Sequence, residues 1–267
     1  VLFSLNAEEA LKPASNNNSA IRIRPLNGGG TTMDGLPSGA TLQLSNSKVT
    51  FPAPGVYYLS EMKQSNNSQF EVLGDGDVVI YVDSTMNMKG LSAIDFKPAS
   101  GNGGPNVTIV ARTFQSSEHG QSTLHASSRV SIFADTLNIG NGHYVKMSDN
   151  ANLMLVGNKL NFGGRAVVNM KQQDSTDAAG AGNTSNAVIY VREKADFGQG
   201  AKVAGVFYGP DATTKFSGDF DWWGAVVGGD IEITGGPGIK IDQGLFQTAG
   251  GSGAYVRVWT EVAPDLF

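Results

Sequence analysis

The residues whose types and spacing could do chemistry are paired acids and adjacent tryptophans. Asp219 and Asp221 flank Phe220 and lead directly into Trp222 and Trp223. In a strand, positions i and i+2 point the same way, so these carboxylates can share a proton or a calcium ion. Of two adjacent tryptophans in a strand, one faces in and the other out, and an outward ring can stack on a sugar or bury in a partner's surface. Trp222, Trp223, Asp219 and Asp221 are therefore the candidate ligand-binding residues. Asp75 and Asp77, on either side of Gly76, are calcium candidates, although Asp-Gly-Asp also fits a turn whose side chains bond the backbone. His119, His125 and His143 lack the further ligands that zinc requires and are expected at the surface or in turns. Gly28-Gly29-Gly30 is not followed by Lys-Ser/Thr, and Gly235-Gly236-Pro237-Gly238 leads into a strand, so neither is a phosphate loop. No Lys or Arg stands at a lyase-like spacing from the acids. The expectation is a protein that is not an enzyme, with no catalytic residue, metal or cofactor.

Composition narrows the classes further. The chain has 267 residues, 40% hydrophobic and 16% charged, where globular domains average roughly 45–50% and about 25%. Gly accounts for 35 residues, about 13% where ~7% is usual. Asn, Ser and Thr replace the missing charge, a mixture that suits turns and short strands and handicaps helices. A net charge of -5 argues against a nucleic-acid partner. No apolar run is long enough for a membrane-spanning helix, and Val1-Leu2-Phe3-Ser4-Leu5 is too short for a signal peptide. The absence of cysteine removes disulfides, thiolate metal sites and thiol nucleophiles. Together with the Asn/Ser/Thr/Gly content, it fits a bacterial, extracellular setting.

Few elements other than strands are available to position these residues. Asn6–Lys12 is the one helical stretch, ended by Pro13. From about residue 70, seven apolar segments share one slot, occupied by Ile80, Ile109, Ile132, Leu155, Ile189, Phe207 and Val227. The interval from Ile109 to Ile132, and again to Leu155, is 23 residues. Thr136–Gly140, Lys159–Gly163 and Ile231–Gly235 each read apolar or polar in alternation and end on Gly. A coil of two or three short strands joined by Gly/Asn/Asp turns needs about that length, which is the signature of a β-solenoid. The expected fold is all-β: a single-stranded right-handed parallel β-helix with terminal capping segments. Residues 1–50 are the N-terminal cap, 51–253 the β-helix, and 254–267 the C-terminal strand and tail. The polar stretch 172–186 is expected to be an exposed loop. A β-sandwich is the competing architecture, but it leaves the recurrence of whole strand-turn-strand units unexplained.

Pro54-Gly55-Val56-Tyr57-Tyr58-Leu59, followed by Val78–Asp83 and Met86-Asn87-Met88, resembles a turn and strand of bacterial pilus-associated proteins. These are type IV pilus assembly proteins of the PilX kind and related surface proteins with a β-helical ectodomain. Trp223–Gly236 with Ile239-Lys240-Ile241-Asp242 is similar to the closing coil of that family, and Val256–Glu261 to its tail strand. The resemblance implies a β-helical fold, an extracellular surface location and association with pili or filaments.

The expected function is a non-enzymatic extracellular structural or adhesive protein, pilus- or filament-associated and self-assembling. The alternative is a carbohydrate-binding or carbohydrate-active β-helix protein acting on a surface polysaccharide. Solenoid ends expose strand edges that invite pairing unless capped. The assembly candidates are therefore the apolar termini: Val1, Leu2, Phe3 and Leu5 at one end, and Tyr255, Val256, Val258, Trp259, Leu266 and Phe267 at the other.

Overall fold

The computed structural model describes residues 13, 15–26, 32–65, 67–88, 91–98, 104–116, 118–125, 127–171, 181–236 and 238–241. The expected helix at Asn6–Lys12, the terminal assembly residues and the tail strand lie outside them. The strands are β1 (Arg22–Pro25), β2 (Met33–Asp34), β3 (Ala40–Ser45), β4 (Ser47–Pro52), β5 (Gly55–Ser65) and β6 (Ser68–Leu73). They continue with β7 (Gly76–Asn87), β8 (Leu91–Lys97), β9 (Pro105–Gln115), β10 (Gln121–Leu124), β11 (Arg129–Ile139) and β12 (Tyr144–Met147). The last six are β13 (Asn152–Phe162), β14 (Val167–Val168), β15 (Ala187–Phe197), β16 (Lys202–Ser217), β17 (Asp221–Thr234) and β18 (Gly238–Ile241).

All eighteen belong to one connected sheet. Among these strands only β1 pairs antiparallel, with β2 and β4. The rest stack in parallel, each on the strand one coil earlier, which is the arrangement of a β-solenoid. Parallel pairing already begins where β3 lies on β5 and β4 on β6, ahead of residue 51. The long strands bend midway. Register shifts at Leu59/Met62, Val82/Thr85, Gly157/Lys159, Tyr190/Lys194 and Gly209/Thr213 mark one corner repeated up the stack. The first halves of these strands form one face and the second halves another. The short strands β4, β6, β8, β10, β12 and β14 form a third, continued by the starts of β16 and β17 and by β18.

The core is a set of ladders. Tyr57, Ile80, Ile109, Ile132, Leu155, Ile189 and Phe207 are in register on consecutive coils and all are buried. The next rung corrects the sequence alignment by one residue: Phe207 pairs with Val226, while Val227 pairs with Tyr208 and faces outward. The glycines mislead here. Gly209 is in register with Gly228, but spacing alone aligns it equally well with Gly229. The interior is aromatic in the first coils, where Phe51, Tyr57 and Phe70 pack together, and again in the later ones. Phe162, Phe197 and Phe216 stack at centroid distances of 5.7 and 4.9 Å, with Phe220 and Trp222 packed beside them. The adjoining ladder shrinks to make room, from Leu153 through Ala187 to Gly205 and Gly224.

On the third face Glu71 is 3% exposed. It is held by Lys48 Nζ at 2.8 Å, by Lys97 Nζ, and by Thr50 Oγ1, which donates at 3.0 Å. Burial pushes its carboxyl up, but the hydrogen bonds and charge of the two ammonium groups outweigh this, and the net position is below the usual glutamate range. A depressed folded value means that the stabilisation is present above the unfolded glutamate pKa and is lost as pH falls through the folded one. Glu71→Gln is expected to cost about 2 kcal/mol at neutral pH. The difference in melting temperature from the parent should close below about pH 4. A gap that stays constant down to pH 2 would show that the ion pairs contribute nothing.

Candidate binding surfaces

The acid and tryptophan cluster is built by the start of β17. Trp222 points inward, is fully buried, and donates Nε1–H to Gly205 O at 3.0 Å. Trp223 points to the opposite side of the strand but is only 3% exposed. It packs with Tyr144, Val167, Met170 and Ala204, and Ala181 lies against the same cluster. The expectation of one ring in and one out holds for direction. Neither ring, however, has a face open to a sugar: Trp222 is interior, and Trp223 is packed by Met170 and Ala181, which pair in an isolated antiparallel bridge. Asp219 is exposed on the preceding turn, and Asp221 sits 4.0 Å from Lys240 Nζ, whose ammonium lies 4.6 Å over the Trp223 ring.

The exposed loop expected over 172–186 is met only in part among its described residues: Asn183 and Ser185 are exposed, but Thr184 is buried. Residues 172–180 lie outside the described ones. Thr184 is 4% exposed, and Asn169 Nδ2 donates to Asn183 O at 2.8 Å and to Ala204 O at 2.9 Å. A small side chain such as Ala181 packs against the Trp223 cluster, so a lack of bulky residues does not mean a lack of burial.

Asp75 sits on the turn between β6 and β7, and Asp77 is the second residue of β7. Gly74 and Gly76 there have φ of +126° and +106°. Asp75 is exposed and Asp77 Oδ1 accepts from Asn106 Nδ2 at 3.0 Å. Among the described residues no group of three or more His, Asp and Glu could hold a metal ion. His119 is an exposed turn residue with φ +54°. His143 is not at the surface: it is 1% exposed and its Nε2 lies 2.8 Å from Ser122 Oγ inside the stack.

Two surfaces escaped the sequence reading. The first is an open groove on the second face, with polar side chains along one wall and a volume of about 590 Å³. One wall is a registered row of Gln115, Asn138, Asn161 and Asp196, with Asn161 Nδ2 donating to Asn138 Oδ1 at 2.8 Å. The corner beyond is bare because Gly140, Gly163 and Gly198 follow one another up the stack. A Cβ on Gly163 would lie 2.6 Å from Asn141 N. Glu118 and Asn141 complete the rim. The signal was present in the 23-residue recurrence of an amide two places before Gly.

The second is the outward side of the first face. One row runs Tyr81, Val110, Phe133, Val156, Tyr190, Tyr208, Val227, and the row two residues earlier runs Val79, Thr108, Ser131, Met154, Val188, Val206, Ala225. Tyr208 is 45% exposed, and its ring lies 5.8 Å from that of Tyr190 at 23°. Polar rows border this stripe: Asp77, Asn106, Arg129 and Asn152 on one side, and Arg112, Asp135, Asn158 and Arg192 on the other. The signal was the unbroken run Val78-Val79-Ile80-Tyr81-Val82, since a strand solvated on one face alternates.

These features define a parallel β-solenoid-type protein with one apolar and one polar outer face. A family model described as a domain of unknown function, DUF7305, matches residues 104–248, more than half of the chain, and the chain belongs to that family. The match takes in β9 to β18. Comparison with curated proteins and with solved structures gives no match. No helix among the described residues is long and apolar enough to cross a membrane.

Proposed function

We propose that the chain is a non-enzymatic structural and adhesive element of a bacterial extracellular assembly of the pilus- or filament-associated kind. In this reading its stack is a right-handed, single-stranded β-helix, the hand that strand twist favours for parallel crossovers. The observation that supports assembly is an asymmetry between the two ends. At the early end the core positions Leu42 and Leu44 are 2% and 5% exposed. At the late end Ile231, Ile233 and Ile239, which continue inward ladders, are 44%, 45% and 36% exposed. Among the described residues no strand pairs with the outer edge of 225–234. Such an end accepts a further coil, and a contact between unlike ends that does not close propagates into a filament. The cysteine-free, Asn/Ser/Thr-rich composition and the resemblance to pilus-associated proteins support the setting.

The test is electron microscopy of native material together with light scattering of Ile231→Lys/Ile233→Lys. Filaments or multimers that the double substitution shortens are expected. Particles of monomer mass at every concentration would refute the reading.

The open groove favours a second reading, binding of a surface polysaccharide along the amide row, since side-chain amides and carboxylates pair with sugar hydroxyls. Calorimetric titration of saccharides against the parent chain and Asn138→Ala/Asn161→Ala distinguishes it: heat lost in the variant supports this reading, and no heat with the parent removes it.

A further inference from the structure

We propose that the apolar first face is a lateral interface on which a second copy of this chain docks, antiparallel, about a two-fold axis passing through the β13 rung. This goes beyond end-on assembly and does not depend on it.

The stripe runs the length of seven coils, from the β7 rung to the β17 rung. Strands spaced ~4.8 Å apart, with outward rows ~7 Å apart along each strand, make the four-row patch about 29 Å by about 20 Å. Two such patches bury about 1,200 Å², the lower bound for a stable specific interface. An apolar centre with polar edges is the anatomy of such an interface.

The identity of the occupant follows from the order of residues along the rows. A two-fold axis parallel to the strands keeps each row over itself and reverses the order of the rungs. Centred on β13, it lays Val156 over its own copy and uses all seven rungs. Phe133 of one copy then meets Tyr190 of the other, and Val110 meets Tyr208. Off the axis, Val110 and Val227 each oppose a tyrosine, Tyr208 and Tyr81, so large and small side chains alternate at those contacts; only Val156 faces its own copy. On the bordering row Asp135 and Arg192 directly follow the registered residues Ala134 and Val191. Both side chains are exposed. The same operation places Asp135 of each copy against Arg192 of the other, two ion pairs generated by one axis. The borders alternate in sign, Asp77 and Asp135 among Arg112, Arg129 and Arg192, so a nucleic acid or an anionic lipid surface would meet no field of a single sign. A sugar would find the Tyr190 and Tyr208 rings partly covering one another.

The experiment is sedimentation of the full chain over a range of concentrations, with thermal melts to establish that each variant folds. A monomer–dimer equilibrium is expected. Tyr190→Lys or Tyr208→Lys should weaken self-association about 30-fold or more, as the loss of a central contact does. Arg192→Asp should also weaken it, and adding Asp135→Arg to Arg192→Asp should restore it. Because these last two positions are exposed, they remain informative if a lysine on the stripe impairs folding. A chain monomeric at all concentrations overturns the inference, as does a double substitution that fails to restore pairing. Association abolished by Ile231→Lys but untouched by Tyr190→Lys also overturns it, and leaves the end-on reading standing.

Discussion

Leu155→Asp is expected to abolish cooperative folding. Leu155 is 2% exposed, between Ile132 and Ile189 on the central ladder. Removing the leucine side chain forfeits about 2–5 kcal/mol. Burying a carboxylate with no cation beside it adds several kcal/mol more. Domain stabilities are about 5–15 kcal/mol in total. The lesion also falls mid-stack, and each coil of a solenoid contacts only its neighbours, so it separates the coils on either side of it. Circular dichroism on heating should show no sigmoidal transition, where the parent shows one. A Leu155→Asp protein that melts cooperatively near the parent temperature would mean that the inward register is wrong.

Gly224→Ala, the addition of one methyl group, should have an effect almost as large. Gly224 has φ +135°, and a Cβ built there would lie 2.0 Å from the carbonyl oxygen of Gly205. That oxygen is not free to move: it accepts from Trp222 Nε1 at 3.0 Å and belongs to a backbone in register with β17. The φ strain alone costs about 1–3 kcal/mol, and the clash adds to it. The sum is a loss of about 4 kcal/mol, or about 10 °C or more in melting temperature for a chain of this size. Gly76→Ala is the control. Its φ is +106°, but the nearest atom to the added Cβ is Pro54 Cβ at 3.5 Å, so it bears the strain without the clash. Equal losses at the two sites would show that backbone strain, and not contact between coils, accounts for both.

These two expectations differ in how far they were readable in advance. Ile80, Ile109, Ile132, Leu155, Ile189 and Phe207 were assigned to one ladder from their shared slot, because a parallel stack repeats the same side-chain position at each coil. Val227 was misplaced by one residue, because adjacent glycines allow two alignments and only the pairing of Gly209 with Gly228 chooses between them. Nothing in the local sequence marks Gly224 as the tightest glycine. Its constraint comes from Gly205 one coil earlier and from the indole wedged beneath both.

The candidate surfaces follow the same division. Periodicity along the chain is enough to read an all-β fold, strands repeating at coil length, and most of the side chains that line the interior. Those properties depend on periodicity, which is local. The packing of Met170 and Ala181 against Trp223 is legible only in three dimensions. Only the tertiary structure aligned Gln115, Asn138, Asn161 and Asp196 as one wall and stacked Tyr190 on Tyr208 over an apolar face. The physical reason is that a solenoid's outer surfaces run across strands, not along them. Each residue's neighbours there are a full coil away in sequence, and the coil lengths vary with every insertion at a corner.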